Sequence, residues 1–134
     1  MATNAASFKP SITPWLSVSS GAKAIDFYAS AFEATEVYRY EDPGGGLVVK
    51  LSVSGAEFWL SQEPPEDLKP NPEPVGGGSI RMILTVANPD AVFARALTAG
   101  ATEVFAVGEG HGWRLGRLVD PFGLHWEIGH PLPE

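Results

Sequence analysis

Chemistry has few places to start in this sequence. There is no cysteine, which closes off thiolate catalysis, thiolate metal sites and disulfides. No Gly-x-Ser-x-Gly elbow presents a serine nucleophile. Neither a Walker loop nor a dinucleotide fingerprint offers a phosphate cradle. What remains is a carboxylate beside an imidazole. His125 and Glu127 stand two apart in an alternating segment, so both side chains share one face of a strand. Such a pair can ligate a divalent cation or take a proton from beside a carbonyl. His111, in Gly108-Glu109-Gly110-His111-Gly112, and His130 read as loop or surface histidines. Trp15 and Trp59 add indole faces, which stack on flat or cationic molecules at roughly 0.5–2 kcal/mol per contact. Trp113 suits a cleft edge or a subunit contact.

The bulk numbers bound the partners. With 134 residues, 44% hydrophobic and 19% charged, the chain fits one domain able to bury its own core. The formal charge of −7 repels phosphate backbones, so nucleic acid is not an expected partner. The same charge would favour cationic ligands. No apolar run approaches the roughly 20 residues of a membrane helix. Residues 1–11 are small and polar rather than signal-like. Together these point to a cytoplasmic protein with a disordered tail over residues 1–10.

The chain repeats itself. Ser11-Ile12-Thr13-Pro14-Trp15-Leu16-Ser17-Val18 resembles Ser79-Ile80-Arg81-Met82-Ile83-Leu84-Thr85-Val86, 68 residues on. A helix is expected after each. Ile25, Phe27, Tyr28, Ala31 and Phe32 form one apolar stripe, and Val92, Phe93, Ala96 and Leu97 the other. Asn88, Pro89 and Asp90 are start signals, and Gly100 suits the C-terminal cap. Both helices run into Ala-Thr-Glu-Val, at 34–37 and 101–104, an offset of 67. Three strands then follow in each half: roughly 36–40, 47–53 and 57–61, then 103–107, 114–119 and 125–129. Turn chemistry at Asp42-Pro43-Gly44-Gly45, Ser54-Gly55 and Asp120-Pro121-Phe122-Gly123 separates them. The predicted organisation is α+β: two tandem βαβββ modules, 11–62 and 79–131, joined by a Pro- and Gly-rich linker over 63–78. They are expected to form a curved mixed sheet around a cleft.

This organisation resembles the vicinal-oxygen-chelate superfamily of glyoxalases, bleomycin-resistance proteins and extradiol dioxygenases. Ile12-Thr13-Pro14-Trp15-Leu16, Asp26-Phe27-Tyr28, Gly112-Trp113-Arg114-Leu115-Gly116-Arg117 and Asp120-Pro121-Phe122-Gly123-Leu124-His125-Trp126-Glu127-Ile128 are similar to its PhnB-like branch. The likeness spans about residues 10 to 131 and implies a homodimer. It also implies a divalent metal held by four side chains, from the first and last strands of each module, acting as a Lewis acid on two neighbouring substrate oxygens. The repeat offset assigns those positions to Thr13, Trp59, Arg81 and Glu127. Only Glu127 is a good ligand. Threonine is a weak donor, the indole N–H has no lone pair to give, and arginine stays protonated. The expectation is therefore a cleft without a catalytic metal; were one held, Glu127 and His125 would be its ligands.

Strand alternation places Thr13, Trp15, Ser17, Glu57, Trp59, Arg81, Ile83, Thr85, His125 and Glu127 on the cleft face. It turns Leu16, Val18, Phe58, Leu60, Met82, Leu84, Val86, Trp126 and Ile128 toward the helices. Arg81 and Glu127 are expected to form a buried ion pair, whose rupture would cost roughly 3–5 kcal/mol, or else to anchor a ligand carboxylate or phosphate. Two functions fit. One is a binding protein that sequesters a small organic molecule, such as a drug, against Thr13, Trp15, Glu57, Trp59, Arg81, Ile83, His125 and Glu127. The other is a glyoxalase-like or dioxygenase-like enzyme, metal-dependent or using Glu127 as base and Arg81 as electrophile.

Overall fold

The structure, a computed structural model, describes residues 11–63 and 80–133. The tail over 1–10 and nearly all of the 63–78 linker lie outside the described residues. The first module runs β1 (Trp15–Val18), α1 (Gly21–Phe32), β2 (Thr35–Glu41), β3 (Leu47–Val53) and β4 (Ala56–Gln62). The second runs β5 (Met82–Thr85), α2 (Pro89–Ala99), β6 (Thr102–Gly110), β7 (Trp113–Val119) and β8 (His125–Pro131). Each module makes a four-stranded sheet, in the orders β1-β4-β3-β2 and β5-β8-β7-β6. In both, the first strand lies parallel to the last and the other pairs are antiparallel.

The repeat is visible in the register. Trp15 lies opposite Trp59, and Ile83 opposite Glu127. The drift between offsets of 68 and 67 also has a location. Helix α1 has 12 residues and α2 has 11, so one residue is lost there. It returns at the last hairpin, where Ser52 pairs Glu57 but Val119 pairs His125.

Local chemistry sets the boundaries. The Ser20 hydroxyl caps α1 by accepting from Lys23 N at 3.3 Å, and Asn88 caps α2 by accepting from Ala91 N at 3.2 Å. Two expectations need correction. Thr13 and Arg81 were assigned to the first strands, but β1 and β5 begin at Trp15 and Met82. Pro14 has no N–H for a ladder, although its carbonyl accepts from Trp59 N at 2.8 Å. The glycine-rich segment expected as a loop is strand through Gly110, with Gly108, Glu109 and Gly110 paired to Leu115, Arg114 and Trp113. The turn is only His111-Gly112, both at positive φ (53° and 81°), which suits a two-residue hairpin.

One core serves both modules. Leu16, Val18, Phe58 and Leu60 of the first sheet are buried together with Leu84, Trp126 and Ile128 of the second. Phe58 meets Trp126 edge-on at 5.7 Å, and Phe32 of α1 lies 4.9 Å from the same indole. At the centre the Tyr28 hydroxyl donates to Asp120 Oδ2 at 2.5 Å, and Trp126 Nε1 donates to the same oxygen at 2.9 Å. Asp120 Oδ1 accepts from the backbone N–H of Phe122 and Leu124. The carboxylate is only 3% exposed, and four donors compensate its burial. Met82 and Val86 are half-buried at the edge of this core.

Candidate functional site

The helix-facing sides of both sheets are used up by the shared core. Their opposite sides are open, and each carries a ladder of cross-strand neighbours. On the first sheet the ladder is Tyr38, Lys50, Trp59 and Trp15. On the second it is Phe105, Arg117, Glu127 and Ile83. Position for position these are equivalent: aromatic, cation, indole or carboxylate, indole or isoleucine.

The first face is an aromatic platform. Trp15 and Trp59 stack with ring centroids 5.7 Å apart and planes 21° from parallel, and Tyr38 meets Trp59 edge-on at 5.6 Å. Trp15 is held by a chain of hydrogen bonds. Its Nε1 donates to Ser61 Oγ at 2.9 Å, and Ser61 donates to Glu63 Oε2 at 2.9 Å. The indole is thus oriented yet still 53% exposed. The Lys50 ammonium lies 5.0 Å from the centre of the Trp59 ring and 3.0 Å from Glu57 Oε1, a cation on an indole that already has a carboxylate counter-ion.

The second face is charged. Arg81 Nε lies 2.9 Å from Glu127 Oε2, with the arginine side chain 53% exposed and the glutamate 12%. The expected pair is present, but it is not buried as expected. Water reaches the guanidinium because this face is uncovered; Ile83, inside β5 on the same face, is 59% exposed. The pair's worth therefore falls from the buried-pair range to about 1 kcal/mol or less. Beside it, Arg117 Nε donates to His125 Nδ1 at 3.2 Å. Burial first, then the charges of Arg117 and Arg81, hold the His125 pKa below its usual value, with Asp120 opposing in part. Tyr28, by contrast, is pushed far up, by burial and then by the Asp120 charge.

The two faces adjoin at a groove of about 330 Å³, lined by Pro14, Glu57, Arg81 and Ile83, with buried Phe58 and Trp126 beneath. Among the described residues no hydrogen bond, ion pair or ring stack joins Trp15 or Trp59 to His125 or Glu127. Of the residues singled out from sequence, Trp15 and Trp59 thus meet on one face, and Arg81, His125 and Glu127 on the other. Glu57 and Ile83 border the groove between. Thr13 is half-buried just before β1, Ser17 approaches Ser61 at 3.5 Å, and Thr85 is exposed. His111 is exposed at its turn, and His130 Nδ1 meets the Pro131 carbonyl at 2.8 Å.

Four ladder residues were missed: Tyr38, Lys50, Phe105 and Arg117. Ser61 and Glu63, which hold Trp15, were missed too. A signal existed for the ladder, since Tyr38 and Phe105, like Lys50 and Arg117, are 67 residues apart.

The four positions the metal device requires do not fit a divalent cation. Trp59 offers a ring, Arg81 brings its own positive charge against Glu127, and Thr13 lies outside the strand. Among the described residues no three His, Cys, Asp or Glu side chains converge.

Paired βαβββ modules with open sheet faces define a class of two-module α+β proteins. The chain belongs to the glyoxalase-like domain family, whose model matches residues 16–129. It is 40% identical over 138 residues to the uncharacterized protein Rv0887c of Mycobacterium tuberculosis, covering 98% of this chain and 81% of that protein. A Mycobacterium bovis protein, Mb0911c, is 40% identical over 132 residues, covering 94% and 86%. Among solved structures, a glyoxylase/bleomycin resistance protein/dioxygenase domain from Frankia sp. EAN1pec superposes with TM-score 0.73 at 16% identity, covering 93% of this chain and 99% of that one. TioX from Micromonospora sp. ML1 gives 0.68 at 20% identity, covering 93% and 98%. The fosfomycin resistance protein FosX of Listeria monocytogenes gives 0.68 at 15%, covering 90% of each. At these identities the structural likenesses establish the fold. No described helix is long and apolar enough to cross a membrane.

Proposed function

We propose that the protein binds a small, flat organic molecule against the Trp15–Trp59 pair, without a catalytic metal, and sequesters it rather than turning it over. The observation that carries this reading is the stack of exposed Trp15 on half-buried Trp59, with Trp15 held by Ser61 and Glu63 before any ligand arrives. A pre-oriented aromatic surface loses little side-chain entropy on binding. A structural neighbour that is a fosfomycin resistance protein, and another that is a glyoxylase/bleomycin resistance protein/dioxygenase domain, support an antibiotic-like compound as the ligand class.

In this reading the working unit is a cytoplasmic homodimer. Val37, Tyr38 and Tyr40 on β2, Val104 and Phe105 on β6, and Ile83 on β5 are exposed, and apolar side chains on the open faces suit a subunit contact. The first face carries the carboxylates of Glu57 and Glu63 and the second the guanidinium groups of Arg81 and Arg117. A second copy can therefore set one face over the other and close a cleft with complementary charge. Light scattering on the purified chain tests the dimer, with a monomer mass at micromolar concentration contradicting it. Titration with flat aromatic compounds, read by tryptophan quenching in chelator, tests the binding function.

A further inference from the structure

The chain is acidic overall, yet the second face is not. It carries two guanidinium groups, Arg81 and Arg117, against one carboxylate, Glu127. Glu127 is spent on Arg81. Arg39, Arg81, Arg95 and Arg114 each have an acidic partner. Arg117, the remaining arginine of the sequence, has none among the described residues. Its Nε donates to His125 Nδ1, which leaves the four N–H groups at the end of its fork for another acceptor. An imidazole whose Nδ1 accepts that bond is neutral and does not compensate the charge.

The pseudo-equivalent residue makes the contrast. Lys50 holds the same rung of the first ladder, but Glu57 neutralises it at 3.0 Å. Arg117 is half-buried between the cross-strand neighbours Phe105 and Glu127. Phe105 and Ile83 are 44% and 59% exposed and flank the charged pair with apolar surface.

We infer that the second face takes the oxyanion of the ligand, a carboxylate carried on a flat apolar body, through the Arg117 guanidinium. This deepens the binding function proposed above and rests on it and on its dimer: the body stacks on the Trp15–Trp59 platform of one copy, and the carboxylate meets the planar fork of Arg117 on the copy set over it. It also reverses the ligand charge that the net charge of the chain suggests.

The test is calorimetric titration of the full chain with 2-naphthoate, its neutral isostere 2-naphthamide and 2-naphthylmethylammonium. Naphthoate is expected to bind about tenfold or more tightly than the amide, and the ammonium most weakly. Added salt should narrow that gap. Arg117→Gln should abolish the preference, Arg117→Lys should retain part of it, and Arg95→Gln on the α2 surface should leave it intact. Equal affinity for acid and amide overturns the inference while the binding function stands. A preference for the acid that survives in Arg117→Gln overturns the role of this residue. Failure of all three probes to bind overturns both. Because the acid–amide comparison uses the unaltered chain, it decides the matter even if Arg117→Gln folds poorly.

Discussion

Trp59 and Glu127 are the same position of the repeat, 68 residues apart, each registered against the first strand of its own module. One scaffold therefore presents an indole on one face and a carboxylate on the other. The neighbours have diverged to match: Trp59 stacks on Trp15, whereas Glu127 is paired by Arg81 from the mouth of β5.

The Arg81–Glu127 pair is half in water, and its coupling should be small. A double-mutant cycle with Arg81→Gln and Glu127→Gln, read by urea unfolding, is expected to give about 0.5–1 kcal/mol, diminishing in high salt. A coupling of several kcal/mol would mean the pair is desolvated in the working assembly.

The indole stack is checkable without any ligand. Two indoles 5.7 Å apart and nearly parallel should couple as excitons in the far-ultraviolet circular dichroism spectrum. Trp59→Phe should remove that couplet and leave the melting temperature close to that of the parent. Ser61→Ala should weaken it, because Trp15 loses its acceptor.

Tyr28 ties the first module to the Asp120 turn of the second. Tyr28→Phe keeps the ring in its aromatic cluster and removes one donor from a buried carboxylate. The expected loss of stability is about 1.5–3 kcal/mol by chemical unfolding. Asp120→Ala should cost more, since it leaves Tyr28 and the Trp126 N–H without an acceptor. A neutral Tyr28→Phe variant would show that water replaces the hydroxyl.

The pKa of His125 is depressed in the folded chain, so its stability contribution is complete above the unfolded value of about 6.5. As the pH falls below that value the unfolded chain takes up the proton first. Stability then declines until the folded value is passed. Melting temperatures of the parent should drop between about pH 7.5 and about pH 5.5. His125→Gln should drop less over the same range. Equal declines would show that other groups dominate.

The fold was legible because the offset repeat, helix caps and turn residues all state the same plan twice. The Trp15, Trp59, Glu127 and His125 faces were legible for a related reason: β4 and β8 alternate without interruption. Tyr38 and Phe105 were not, because each follows a register shift, between Glu36 and Tyr38 and between Glu103 and Phe105. A bulge breaks the period of two on which counting along a strand depends. Both shifts fall at the same place in the repeat, so symmetry could have found what alternation could not. The exposure of Arg81 was illegible for another reason, since it depends on what covers the face, and alternation names the face without saying whether anything covers it. The common core posed a third difficulty: nothing in a local pattern says that Phe58 and Trp126, 68 residues apart, meet across the modules.

The proposed function requires that a flat organic molecule bind on the Trp15–Trp59 platform without help from a metal. The most direct test is tryptophan quenching by a panel of flat aromatic compounds, run in excess chelator on the parent chain and on Trp59→Leu. Saturable quenching by at least one compound in chelator is expected, weakened about tenfold or more in the variant. No saturable quenching by any compound, or binding that appears only when a divalent metal is restored, would contradict it.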